Sequence, residues 1–360
     1  MFNLFNSLGY WEAKTFLHPI GFALVIIYFL MNKGASKTLP AVDVLLLAYF
    51  IIFIILTLNI NQGIESIYLT FRENIWAIVL ISVYNKLTVG KIFWNGFLYS
   101  SLILVIANIS AVLVNFYIGY EEYMELGTGR FVWGNDEEYK FKISFFYNLI
   151  RSPGLIGESA SLGFFGLFTY FLFTQSKDFK KYKYFPILLT ALSFTRSVYL
   201  SLLLLITYRT LSNYKVLRFI IKYVWALAFL SILLIIFLIN ENFFSFESLL
   251  IRIKEWGEKT KFNYNYIFGG KLGMTGSSVR GSGLAVLDSF WITKLLNFGL
   301  LGVILIVFFI KSKIVGNKSL KVFVIALAIS GFFVTLTQSI AFLVFFPLLF
   351  LNTVNEFNQK

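Results

Sequence analysis

Apolar residues in this chain neither alternate nor recur as a narrow helical stripe. They run on uninterrupted, separated by short polar segments. A helix needs about 20 predominantly apolar residues to cross a bilayer. The pattern predicts such helices over residues 16–31, 41–60, 92–117, 161–175, 216–239, 290–310 and 322–336. Shorter runs occupy 75–87 and 341–351, and the run 184–208 is interrupted at Thr195-Arg196-Ser197. Strands of a lipid-facing barrel would alternate apolar and polar positions. These runs do not, so the expected fold class is all-α.

Composition agrees. Of the 360 residues, 58% are hydrophobic and 14% charged, and the mean hydropathy is +0.77. Soluble domains carry roughly 45–50% apolar and about 25% charged residues. Too few charges remain to build a water-facing surface, whereas hydrocarbon solvates an apolar exterior. The expectation is one polytopic membrane domain over 1–360. No cleavable signal peptide is expected, because the run from Phe16 lacks a small-residue cleavage site.

The formal charge of +13 would suggest nucleic acid in a soluble chain, but here it reads as topology, and no nucleic-acid partner is expected. Lys33, Lys37, Lys86, Lys91, Lys177, Lys180, Lys181, Lys183, Arg209, Lys215, Arg218, Lys222, Lys311, Lys313, Lys318 and Lys321 fall in one set of loops, with Asp178 their one acid. Basic loops stay cytoplasmic. The opposite set holds Glu65, Glu73, Glu121, Glu122, Glu125, Asp136 and most remaining acids. All basic loops fall on one side only if 184–208 crosses twice, turning at Arg196. That gives about eleven spans, with the N-terminus outside and the C-terminus inside. Two large external loops follow, about 119–159 and 240–287, with 61–74 a shorter interfacial segment. Long loops in an economical chain are usually functional. The chain has no cysteine and one histidine, His18. That excludes thiol chemistry and His- or Cys-based metal sites, and no metal or other cofactor is expected.

Arg196 carries the sharpest chemical signal. It lies between apolar runs too short to span alone, so its turn should sit below the outer surface. A cation there is costly unless it meets a cavity or an anion. It either pairs with a structural carboxylate or grips a lipid diphosphate through its forked donors. Arg151-Ser152-Pro153-Gly154-Leu155-Ile156-Gly157-Glu158-Ser159 closes the first loop. Arg151 is a second phosphate candidate, and Glu158 is either a helix cap or a general base. The second loop ends in the flexible stretch 269–283, whose glycines let backbone N–H groups approach anions. Lys271 and Arg280 are its candidate cations, with Arg252 upstream. Asp288 opens the next helix as a cap or a second candidate base. Lys294, further along that helix, either snorkels to headgroups or adds charge to a cavity.

In order, these residues resemble the Wzy-type O-antigen and polysaccharide polymerases, within the O-antigen ligase-like superfamily. The resemblance covers roughly residues 145–310. It rests on Arg151 with Pro153-Gly154 and Glu158, on Ser193-Phe194-Thr195-Arg196-Ser197, and on a large external loop ending in Asp288-Ser289-Phe290 before Leu300-Leu301-Gly302. It implies a metal-independent membrane glycosyltransferase of GT-C-type architecture in the bacterial cytoplasmic (inner) membrane, acting on the periplasmic side. The implied donor and acceptor are undecaprenyl-diphosphate-linked oligosaccharides, and a chain-length regulator protein is a possible further partner. The glycan would pass from undecaprenyl diphosphate to the non-reducing end of another lipid-linked repeat, serving O-antigen or related polysaccharide and lipopolysaccharide biosynthesis. Arg151, Arg196 and Arg280, with Lys271 and Arg252, would hold the diphosphate, and Glu158 or Asp288 would take the acceptor proton. An O-antigen ligase is the nearer alternative, disfavoured because 240–287 contains no histidine. A lipid-linked oligosaccharide flippase is the alternative of another class, disfavoured by the lack of two related halves.

Overall fold

In a computed structural model, the chain is mostly helical. The structure describes residues 11–31, 38–57, 71–87, 89–119, 122–123, 145–146, 149–150, 152, 154–156, 159–211, 254, 265, 267–269, 289–315, 317–332, 336 and 340–351. Helices α1 (Trp11–Met31) and α2 (Ala41–Thr57) come first. A π-helical turn, Arg72–Trp76, then runs straight into α3 (Ala77–Tyr84). Next come α4 (Lys91–Ile118) and a two-residue antiparallel pair, β1 (Phe145–Phe146) with β2 (Leu149–Ile150). Helices α5 (Ser159–Gln175), α6 (Tyr184–Leu192) and α7 (Arg196–Leu211) follow. The last described helices are α8 (Phe290–Lys313), α9 (Lys318–Ser330) and α10 (Ile340–Leu348).

These elements fall on the apolar runs of the sequence, except that 216–239 lies outside the described residues. Two differences stand out. The first helix starts at Trp11 rather than at Phe16. The run 322–336 ends early, because α9 stops at Ser330 and the chain turns at Gly331 and Phe332. Among the described residues, two helices, α4 and α8, are long and apolar enough to cross a membrane. Large apolar side chains cover the outer face of α4, with Ile92 and Tyr117 each 91% exposed. Such an exterior suits hydrocarbon and not water.

The centre of the bundle is α5, buried at every position from Ser161 to Phe173. A helix apolar all round belongs inside. Phe168 meets Phe323, Phe342 and Phe346, and Phe165 meets Phe345 edge-on at 5.1 Å between ring centroids. These aromatic contacts tie α5 to α9 and α10.

Lysine-bearing ends collect at one end of the bundle. Lys86, after α3, donates to the Thr38 carbonyl just before α2. Asp43 in the first turn of α2 and Lys313 in the last turn of α8 form an ion pair at 2.6 Å, with side chains 0% and 2% exposed. Tyr99, early in α4, packs edge-on against Phe179, next to Lys180 and Lys181. Asp43 had no place in the count of loop charges, because it lies inside an apolar run.

The Asp43–Lys313 pair generates a stability prediction. Asp43→Asn leaves a buried ammonium without its counter-charge, which costs roughly 3–5 kcal/mol. The expected readout is a clear fall in melting temperature of the detergent-purified chain. Combining Asp43→Leu with Lys313→Met replaces both charges by apolar groups and should recover most of the loss. A double variant no more stable than Asp43→Asn would show that the pair is not the cause.

Candidate functional site

The break between α6 and α7 falls at Ser193-Phe194-Thr195, immediately before Arg196. Helix ends inside apolar surroundings must find partners for their freed carbonyls. Local hydroxyls supply them here. Thr190 Oγ1 donates to the Pro186 carbonyl and Ser193 Oγ to the Thr190 carbonyl, both at 2.7 Å, and Thr195 Oγ1 donates to the Ser193 carbonyl at 3.1 Å. The Tyr199 hydroxyl reaches back to the Ala191 carbonyl. Phe194 carries the reversal at φ 47°, a region that bulky side chains rarely enter. Its ring lies edge-on to Phe116, near the end of α4 away from the lysines.

A second irregular segment lies close by. Residues 154–156 form a tight turn, with Ser152, Gly154 and Ile156 buried. Asn108 of α4 anchors it: Oδ1 accepts from Leu155 N at 2.9 Å, while Nδ2 donates to the Leu104 carbonyl at 2.8 Å. Gly154 has φ 55°, and a Cβ there would stand 2.9 Å from Leu162 and 3.0 Å from Asn108 Oδ1. Position 108 is about 15 Å from the far end of α4, at ~1.5 Å rise per residue. The close of the first long loop therefore folds down beside α4 rather than passing over its end.

The start of α5 brings these segments together. Leu162 touches the turn, and the next residue, Gly163, touches the break. A Cβ on Gly163 would lie 2.6 Å from Ser193 Oγ and 3.1 Å from Val198, and one on Gly166 would lie 2.9 Å from the Pro186 carbonyl. Small residues on one face let two helix backbones approach. The glycines of α5 thus set how close the α6–α7 break sits to the Ser152–Ile156 turn.

Of the sequence-predicted site residues, Arg196 is described as the first residue of α7, through its backbone. Arg151 and Glu158 flank the described turn but, with Arg252, Lys271, Arg280 and Asp288, lie outside the described residues. The cap of α8 belongs to Ser289, whose Oγ accepts from Ile292 N at 3.4 Å, and not to Asp288. The stretch expected to be flexible from Gly269 onward begins in a well-held turn. Asn265 Oδ1 accepts from Ile267 N and Phe268 N, and Gly269 N donates to the Asn265 carbonyl at 2.6 Å. This turn docks on a kink in α8 at Gly299, φ 65°. Leu301 N donates to the Ile267 carbonyl at 3.1 Å, and Tyr49 donates to the Phe298 carbonyl at 2.7 Å.

Lys294 is buried at 3% exposure and does not snorkel. Its ammonium donates to the Glu73 carbonyl at 3.2 Å and to Asn74 Oδ1, and stands 5.4 Å from the Phe290 ring centre. Glu73 and Asn74, also buried, come from the π-helical turn before α3, a winding often found at functional positions. Together they close one end of an apolar cavity of about 720 Å³. Sequence reading placed Glu73 in a loop and did not pair it with Lys294, although both stand beside apolar runs. No group of three potential metal ligands occurs among the described residues.

Gly163 offers a direct test of how the two segments meet. Gly163→Ala forces the α6–α7 break away from α5 and is expected to cost about 1–3 kcal/mol. Adding Ser193→Ala removes the nearest atom and should restore part of the melting temperature. A Gly163→Ala protein as stable as the parent would mean that the helices do not pack this closely. Comparison of the chain with protein-family models, with curated proteins and with solved structures finds no match.

Proposed function

We propose that the chain is a polysaccharide polymerase of the bacterial cytoplasmic membrane. It transfers a growing glycan from undecaprenyl diphosphate to the non-reducing end of another lipid-linked repeat. In this reading about eleven spans form a GT-C-type membrane domain. The lysine-bearing end faces the cytoplasm, by the positive-inside rule, and the active site opens on the other side.

One observation carries the reading. Ser152, Gly154 and Ile156 at the turn and Ser193 and Thr195 at the break are buried, and the two segments are joined through Leu162 and Gly163, away from the lysine-bearing end. Those segments adjoin Arg151, Glu158 and Arg196, the residues that the resemblance to polysaccharide polymerases makes functional. Glycosyl transfer to a lipid-linked acceptor needs little beyond such a setting. The bond from the anomeric carbon to the diphosphate oxygen breaks as the acceptor oxygen bonds to that carbon. Negative charge develops on the departing diphosphate, where guanidinium groups stabilise it in a low-dielectric site. The acceptor proton passes to a carboxylate, Glu158 or Asp288. Arg151, Arg196 and Arg280 are assigned to the diphosphate, with Lys271 and Arg252 contributing charge, and fixing two bulky lipid substrates side by side supplies much of the remaining rate.

Incubating the purified chain with lipid-linked repeat units should yield a ladder of longer glycans. Arg196→Ala is expected to abolish the ladder while protein level and membrane insertion stay normal. Glu158→Gln should still bind lipid-linked substrate but lose turnover, by a factor on the order of 10²–10⁴ for a lost general base. Full-length polymer from Arg196→Ala would overturn the diphosphate assignment. Transbilayer movement of substrate without elongation would identify a flippase instead.

A further inference from the structure

The apolar cavity beside Lys294 has a second, oppositely furnished end. It is lined along α9 from Lys318 to Ala328, about 15 Å at ~1.5 Å per residue, and by α8 on both sides of the Gly299 kink, at Lys294 and again from Ile306 onward. Ala77, Ile78 and Ile81 of α3 line it together with Val324 and Ile325 of α9. At the far end stand Lys311, Lys318 and Lys321, all three exposed and all lining the opening. Among the described residues the one acid in the lining is Glu73, which sits at the other end with Lys294.

We propose that this groove binds an anionic glycerophospholipid of the leaflet at the lysine-bearing end. The lipid phosphate lies among Lys311, Lys318 and Lys321, and an acyl chain runs along α9 toward Lys294. Charge complementarity selects the headgroup. Three ammonium groups around one apolar opening repel one another, and a net anion offsets that repulsion, as basic pockets between membrane helices do for acidic lipids. A zwitterionic headgroup brings its own ammonium beside the phosphate and offsets it less. The walls select the tail, because they offer almost no polar partner and the volume lies within the ~300–1,000 Å³ of ordinary ligand sites. At the closed end the Lys294 ammonium is already held by Glu73 and Asn74, so the acyl chain meets a satisfied polar floor. The proposal depends on the placement of the helices in a bilayer and is independent of glycosyl transfer.

Native mass spectrometry of the full, delipidated chain tests it, by titration with palmitoyl-oleoyl phosphatidylglycerol and with phosphatidylcholine of the same chains. Phosphatidylglycerol is expected to bind preferentially. Converting Lys311, Lys318 and Lys321 together to Gln should weaken its binding on the order of a hundredfold, while conversion of all three to Arg should preserve it. Filling the groove with Ala77→Phe and Val324→Phe, lysines intact, should weaken binding on the order of tenfold. Equal binding of the two lipids overturns the assignment. So does unchanged phosphatidylglycerol binding in the glutamine variant or in the groove-filled variant, the latter because the lipid would then be held at the surface by charge alone.

Discussion

A backbone amide surrounded by apolar side chains must find a hydrogen-bond partner within the protein, and most of this structure follows from that demand. Along α4 and α5 the helix supplies every partner, and nothing irregular is needed. At three described interruptions, a side chain or a second segment takes over. The Ser193 and Thr195 hydroxyls close the break before Arg196 by donating to the Thr190 and Ser193 carbonyls. Asn108 holds the turn at Leu155. Ile267 and Tyr49 take up the groups released where α8 kinks at Gly299. An unmatched group in hydrocarbon costs several kcal/mol, so each irregularity implies a dedicated partner.

Charge obeys the same rule. Asp43 and Lys313 are buried together at one end of α2 and α8. Lys294 is buried toward the other end of α8 with Glu73 and Asn74. Both lysines belong to α8, so this helix is fixed electrostatically near both ends and bent between them. The Gly299 kink lies between those two anchors and is where the Asn265–Gly269 turn docks. A helix held in this way is a firm wall for the cavity beside it.

The two segments that carry the functional reading are joined by very small residues. Gly154, Gly163 and Gly166 occupy places where a single methyl group would collide with a neighbouring element. The spacing between the Ser152–Ile156 turn and the Ser193–Thr195 break therefore depends on the absence of side chains. Polar residues then decorate a site whose shape is set by what glycine leaves out.

Much of the helical layout was legible in the sequence, because a run of apolar residues in hydrocarbon has few conformational choices. The interruption of 184–208 is the best case. Residues Thr195-Arg196-Ser197 between two short apolar runs pointed to two helices, and the break lies within two residues of that position. Among the described residues, the ends bearing Lys86 and Lys313 lie together at the start of α2, as the grouping of basic loops led one to expect. Pairings distant along the chain were not legible. Asp43 with Lys313, Glu73 with Lys294 and Asn108 with Leu155 each join separate elements, and a continuous apolar pattern carries no register between helices. Sequence alone determined where most of the described helices lie, through the cost of leaving backbone groups unpaired among apolar side chains. Tertiary structure alone decided which polar groups meet, because that depends on helix rotation and close approach, which only packing sets.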